Sequence, residues 1–543
     1  MKVKQKPGVV FEPHVHQSIQ RGIQVMVNAV RPTLGPVTGA VVIDQLHKSR
    51  PEPEYLTDAG TIARRIIELP NRDEDMGAMI VRSMITEQHE LVGDGSATAA
   101  VLFEAIFNSG LRYITSGGNA MQLRGHLERA IPRLIEQLDS LILPLEGQHA
   151  LTRMAFSLCH DQGIAEQLGE AFDVVGDYGR IEVREDYGRI LRKEFVEGSY
   201  FHAGLFSRLL TPDGSAGVVT FEDAAVFACD FEVENYRDLI PVLQAANAAG
   251  VKRFVIIARK LSEQAISLLV ANNKLDKFKV AAVKLPDPNP EDRALALDDL
   301  CLLTGATPFM VAAGDTLERI NASHFGRVRR FWADSNAFSL VGGGGDPQRL
   351  GAHIRKLKAS YRRTVEAADR KKIISRIGNL LGGSVTLHIG SFTKNEIEMR
   401  KNTAERAVLT MRTAIQEGVL PGGGIALLQC RAALESWRAA ACDADEYAAY
   451  RILLEAMAAP ARTICRNAGY EPSEVLAQLS FEGPEMGFDV VTGQVVNVRS
   501  SGILDSAHVI KSCVQNAIST AALALTVDAL VHGAKAEMVT TGR

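Results

Sequence analysis

Helix-period segments at both ends of this chain enclose a middle in which strands alternate with helices. Between residues 178 and 387, apolar β-rich runs at 224–229, 254–258 and 280–285 alternate with helical stretches at 235–249 and 262–272. That is α/β patterning. The flanks read as helices over 15–31, 61–69, 75–90, 121–141, 394–417 and 505–530. In the first of these, Ile19, Ile23, Val27 and Val30 recur at helical spacing. Residues 39–44 read as a short buried strand, and 356–381 as a charged helical hairpin. The texture changes near Leu143-Pro144 and again at Gly382-Gly383. A chain so arranged carries its α/β part as an insertion in a discontinuous helical domain. At 543 residues it is also too long for one hydrophobic core.

Composition narrows the function classes. A formal net charge of −4 gives no electrostatic case for nucleic acid or for a membrane surface. The seven cysteines are scattered, odd in number and without CxxC pairs. They read as reduced thiols of a cytoplasmic protein. No run reaches the length of a membrane helix, and residues 1–7 are basic without a following apolar stretch. The histidines show no metal-ligand spacing, and His14 and His16 read as surface residues.

The stretch with the most chemistry is Gly93-Asp94-Gly95-Ser96-Ala97-Thr98-Ala99, which opens a helix-prone run. Glycine permits close backbone approach, and a helix start offers free N–H groups with a positive dipole end. Such a site suits phosphate, with Asp94 reaching it through Mg²⁺. A plain Asp-Gly turn before a helix accounts for the same residues equally well. No GxxxxGK[ST] occurs, and Gly342-Gly343-Gly344-Gly345 lacks phosphate-loop spacing, which disfavours a P-loop enzyme.

The chain resembles the group I chaperonins, the bacterial GroEL type. The resemblance rests on Thr33-Leu34-Gly35-Pro36, Asp75-Met76-Gly77-Ala78, Gly93-Asp94-Gly95, residues 280–284, Glu417-Gly418-Val419 with Gly422-Gly423-Gly424, and Gly502-Ile503-Leu504-Asp505. These matches run in family order from one end to the other. The resemblance implies an α/β multidomain fold. A discontinuous all-α equatorial domain would span 1–142 and 418–543. A small intermediate hinge domain would span 143–197 and 384–417, and an inserted α/β apical domain 198–383. It also implies seven-membered homo-oligomeric rings that enclose non-native protein clients, with a co-chaperonin lid as a further partner.

The family's ATP site carries over position by position. Leu34, Gly35 and Pro36 match the loop on the α-phosphate side, and Asp94 matches the Mg²⁺ ligand. Gly95, Ser96, Ala97 and Thr98 match the phosphate cradle, where Ala97 replaces a threonine of the family. Gly423 matches a ribose-side glycine, Asp505 the carboxylate that accepts from ribose hydroxyls, and Asp489 a base-contacting asparagine.

The catalytic positions depart from the family. Counted without gaps from Gly422-Gly423-Gly424, the water-activating aspartate is replaced by Arg406. A guanidinium has five donors and no acceptor, so it cannot serve as a general base. Glu405 is adjacent but turned by about 100° around a helix. In Thr57-Asp58-Ala59-Gly60, Ala59 stands at a second family aspartate and Asp58 at the family lysine; a one-residue shift would restore Asp58. The resemblance thus leaves two readings: a folding chaperonin with weakened or absent hydrolysis, or a non-cycling ATP-binding scaffold or holdase.

For clients, the family's apolar apical face matches Leu205, Leu209, Leu210, Ile240, Leu243, Ile266 and Val270. Apart from the resemblance, leucines at helical spacing are usually core.

Overall fold

Two helices of the first unit cross at glycine. A Cβ on Gly22 would lie 1.7 Å from the Glu74 carbonyl oxygen, and one on Gly77 would lie 2.2 Å from that of Ile19. Only glycine lets the His14–Val30 and Arg72–Val92 helices pack this closely. The computed structural model describes residues 8–12, 14–37, 39–43, 53–186, 188–211, 217–273, 278–286, 289–364 and 366–532. These fall into two units: one from within 1–173, 185–191 and 389–543, the other from within 174–184 and 192–388.

The first unit is a helical body built from both ends of the chain. Around the crossing pair lie Ser96–Thr115, Ala120–Asp139, Ala444–Ala456 and Ala507–Ala524. Their shared core includes Ile19, Ile23, Val27 and Val30, together with Phe103, Phe107, Leu453 and Ile518, each at most 1% exposed. The long helix Lys394–Glu417 starts at Thr393, whose side chain accepts from the Glu396 N–H, and stops at Gly418. At its foot, Glu417 meets His508 Nδ1 at 2.7 Å and Lys511 Nζ at 3.0 Å. Burial pushes the Glu417 carboxyl up, but the hydrogen bonds and charge of its His508 and Lys511 neighbours outweigh it and hold the group at about 2.

The second unit is α/β. Its six-stranded sheet runs Lys279–Lys284, Arg253–Ala258, Val219–Ala228, Gly326–Ala333, Phe338–Gly343 and Ser199–Phe201, from edge to edge. The first three strands are mutually parallel and the others join antiparallel. Ile240–Ala248, Glu263–Asn273 and Pro290–Thr304 are the helices linked with the parallel strands.

Several sequence expectations shift. Residues 235–249 begin as a 3₁₀ turn at Tyr236–Leu239, and the α-helix starts only at Ile240, with Pro241 in its first turn. The hairpin expected from residue 356 begins at Pro347 and consists of Pro347–Arg363 and Ala367–Leu381. Residues 504–506 form a strand, so Asp505 precedes the last long helix. His16 is buried, its Nδ1 2.9 Å from Glu12, whereas His14 is exposed. The strand expected at 39–44 is Val41–Ile43, and Asp44 lies outside the described residues. Among the described residues no helix is long and apolar enough to cross a membrane.

Candidate functional site

The Gly93-Asp94-Gly95 turn joins two long helices. Gly93 ends Arg72–Val92 in the left-handed region, and Gly95 opens Ser96–Thr115 at φ +80. A Cβ on Gly95 would stand 2.5 Å from Cys513 Sγ and 2.6 Å from Val509, so the loop is seated against the Ala507–Ala524 helix. Gln88, fully buried, fixes the turn from below. Its Nε2 donates to the Asp94 carbonyl at 3.1 Å, while its Oε1 accepts from Ser512 Oγ and Asn516 Nδ2, both at 2.8 Å. Sequence reading missed Gln88, because a glutamine on a long helix carries no local signal. At the helix start, Ser96 is buried with its hydroxyl toward the Ile85 carbonyl, and Ala97 is buried too. Thr98 is half-buried.

Strand pairing brings Asp505 to this neighbourhood. Val419–Pro421 pairs antiparallel with Leu504–Ser506, placing Asp505 opposite Leu420. The Gly422 N–H then donates to the Ile503 carbonyl at 2.9 Å, and Gly423 follows at φ +66. Asp505 keeps partial solvent access. Burial, joined by the like charge of Asp94, pushes its carboxyl up to about 7. Two converging carboxylates beside a helix N-terminus are an arrangement that a divalent cation relieves.

The Leu34-Gly35-Pro36 loop is held by a residue not foreseen from sequence. Asn467 Nδ2 donates to the carbonyls of Arg31 and Leu34, at 2.9 and 2.8 Å. Gly35 sits at φ +101 against Ile464, and Pro36 is exposed. Asp489 is occupied within its own hairpin turn. Its oxygens accept from the Val491 N–H at 2.9 Å and the Thr492 hydroxyl at 2.8 Å.

At the departing positions, Arg406 Nη1 donates to Asp58 Oδ1 at 2.6 Å. The other oxygen of Asp58 caps the Ala59–Arg65 helix, accepting from the N–H and the hydroxyl of Thr61, both at 2.7 Å. His89 Nδ1 stands 3.7 Å from the same oxygen and is buried without a hydrogen-bond partner. Burial raises the Asp58 carboxyl, but Arg406, His89 and Thr61 together bring it below the usual carboxylate range. A carboxylate so engaged is a poor proton acceptor. Glu405 is exposed on another side of its helix, where it adds to the effect of Glu185 in raising the Lys401 ammonium. It stands off the Asp58 side, as the rotation of a helix dictates.

In the second unit the seven apolar positions separate. Leu205 and Leu210 are core residues, 5% and 0% exposed, and cannot offer a surface. Leu209 is 72% and Ile240 37% exposed, while Leu243, Ile266 and Val270 are partly buried against the core.

Residues 26–535 match the model of the TCP-1/cpn60 chaperonin family. Two solved structures share the fold, both of the chaperonin gp146 from the bacteriophage EL 2 (Pseudomonas aeruginosa) in the presence of ATP-BeFx. The first crystal form is 18% identical with a TM-score of 0.69, the second 19% identical with a TM-score of 0.62. Each alignment covers 97% of this chain and 99% of the other.

Proposed function

The chain belongs to the TCP-1/cpn60 chaperonin family, and from that premise we propose that it is a ring-forming chaperone that binds Mg-ATP but hydrolyses it slowly or not at all. The residues fit the nucleotide. Asp94 would hold Mg²⁺, the N–H groups from Gly95 to Thr98 would face phosphate, and Asp505 and Gly423 would border the ribose. Leu34, Gly35 and Pro36 would border the α-phosphate. Asp489 has both oxygens committed to its turn, so a base contact from it would require that turn to open. When bound, Mg²⁺ would neutralise phosphate charge and relieve the repulsion felt by Asp505.

The domain assignment follows the family: equatorial 1–142 and 418–543, intermediate 143–197 and 384–417, apical 198–383. Seven-membered homomeric rings would enclose non-native clients, with Leu209 and Ile240 as the most accessible apolar contacts and a lid co-chaperonin as an optional partner. The setting would be cytoplasmic.

The single observation that carries the slow-hydrolysis reading is the Arg406–Asp58 ion pair. A base must accept a proton from water; here the family's base position is a permanent cation, and the nearest carboxylate already neutralises it. The same pair favours a second reading, an ATP-binding scaffold or holdase that does not cycle. The test is paired ATP binding and steady-state hydrolysis on the purified oligomer with Mg²⁺. Tight binding with negligible turnover is the expected result. Turnover at an ordinary chaperonin rate overturns it.

A further inference from the structure

The Pro347–Arg363 and Ala367–Leu381 hairpin carries ten Lys and Arg residues against two carboxylates, in a chain whose net charge is −4. Some of these cations serve the fold. Arg376 grips the buried Asp299 through two bonds of 2.7 and 2.8 Å, and Lys372 meets Asp292 at 3.0 Å. Five others are different: Arg349, Arg355, Lys356, Arg363 and Lys371 are all exposed and have no ion-pair partner among the described residues.

Their placement is regular. Arg349, Lys356 and Arg363 are spaced by seven residues, so they form a line along one flank of the first helix, about 21 Å long. Leu357 and Tyr361 are buried on the opposite side, against the second unit's core. Arg355 lies on the other outer flank of the same helix. An ordinary solvated helix face mixes both signs; this one does not.

We infer that the outer face of this hairpin binds nucleic acid through its phosphate backbone, without reading sequence. An extended row of cations with no carboxylate to set a register matches backbone contacts. A specific acidic protein partner would call for an apolar, desolvated centre with a polar rim, and no large apolar side chain is exposed between Arg349 and Arg363. Bulk charge hides this surface, because the compensating carboxylates lie elsewhere in the chain.

The test is fluorescence anisotropy of a labelled 20-base-pair DNA duplex with the full oligomer, titrated from 50 to 200 mM salt. Five phosphate contacts predict a log–log slope of about −4.5, or roughly a 500-fold affinity loss across that range. The triple variant Arg349→Ala/Lys356→Ala/Arg363→Ala should flatten the slope to about −1.8. Arg349→Lys/Arg363→Lys should keep it. Absent duplex binding at 50 mM salt, an unchanged slope in the triple variant, or tighter binding of polyglutamate than of the duplex would each overturn the proposal.

Discussion

Arg406 and Asp58, 348 residues apart, form a 2.6 Å charge-assisted bond at the place where the family resemblance puts an aspartate and a lysine. On that resemblance the two charges would have exchanged sides, with the contact between the Lys394–Glu417 helix and the Asp58 turn kept as an ion pair. Replacing Arg406 alone by aspartate would set two carboxylates against each other.

It follows that the exchange must be reversed at both ends. Asp58→Lys/Arg406→Asp keeps an ion pair but loses the cap on Thr61, so it should melt somewhat below the parent. It should raise steady-state ATP turnover by about 10² or more, the usual worth of a positioned base. Arg406→Asp alone should give little turnover and a lower melting temperature. Equal turnover in the double variant and the parent would refute a block at this pair.

Asp58 works in two ways, and substitutions separate them. Asp58→Asn keeps a cap acceptor for Thr61 and loses the ion pair; Asp58→Ala loses both. Capping contributes about 1 kcal/mol, and a part-exposed pair about 1 kcal/mol at most. Thermal melts should rank parent, then Asn, then Ala. The Asp58 carboxyl is lowered in the fold, so its contribution is present above its ordinary value of 3.8 and fades as pH falls below it. The gap between the parent and Asp58→Asn should close in strong acid while Asp58→Ala stays lower for want of the cap, and a persistent gap between parent and Asn would point to another cause.

The Lys394–Glu417 helix was legible to its ends, because the Thr393 cap and Gly418 stop are local signals. Asp505 was assigned to the wrong element. A three-residue strand before an Ala-rich run has no signature of its own, and its partner at Val419–Pro421 lies over 80 residues away. The Leu209–Leu210 pair shows the same limit. Both are apolar, and only the local backbone turn sends one outward and the other into the core. The Asp94 loop could be found from its glycines, but Gln88 and Asn467, which hold the two loops by their carbonyls, could not. Side chains that bind backbone act through tertiary placement, which no spacing encodes.

Gly95 is constrained twice, by its left-handed backbone and by the 2.5 Å approach of Cys513. Gly95→Ala should cost about 1–2 kcal/mol for the backbone and about 1–3 kcal/mol for overpacking. Nucleotide binding should fall with it, as the phosphate cradle shifts. Adding Cys513→Ala should recover part of the packing cost, since Val509 still stands 2.6 Å away, and none of the backbone part. Denaturant melts of the three proteins measure each share, and full recovery in the double variant would refute the backbone constraint.

Asp505 sets a pH dependence of opposite sign to that of Asp58. Its carboxyl is raised to about 7 in the fold, against 3.8 ordinarily. The folded state therefore binds the extra proton between those values, and stability declines as pH rises through that window. At pH 8 the charged group lies partly desolvated beside Asp94, which is costly; at pH 5 it is neutral. Asp505→Asn removes the cost without changing shape, so it should raise the melting temperature of the nucleotide-free protein most at pH 8, less at pH 5 inside the window, and not at all below the ordinary value of 3.8. Mg²⁺ should narrow the pH 8 difference by screening the pair. A substitution that destabilises equally at both values would mean that Asp505 acts through hydrogen bonds that asparagine cannot make, and that its charge is not confronting Asp94.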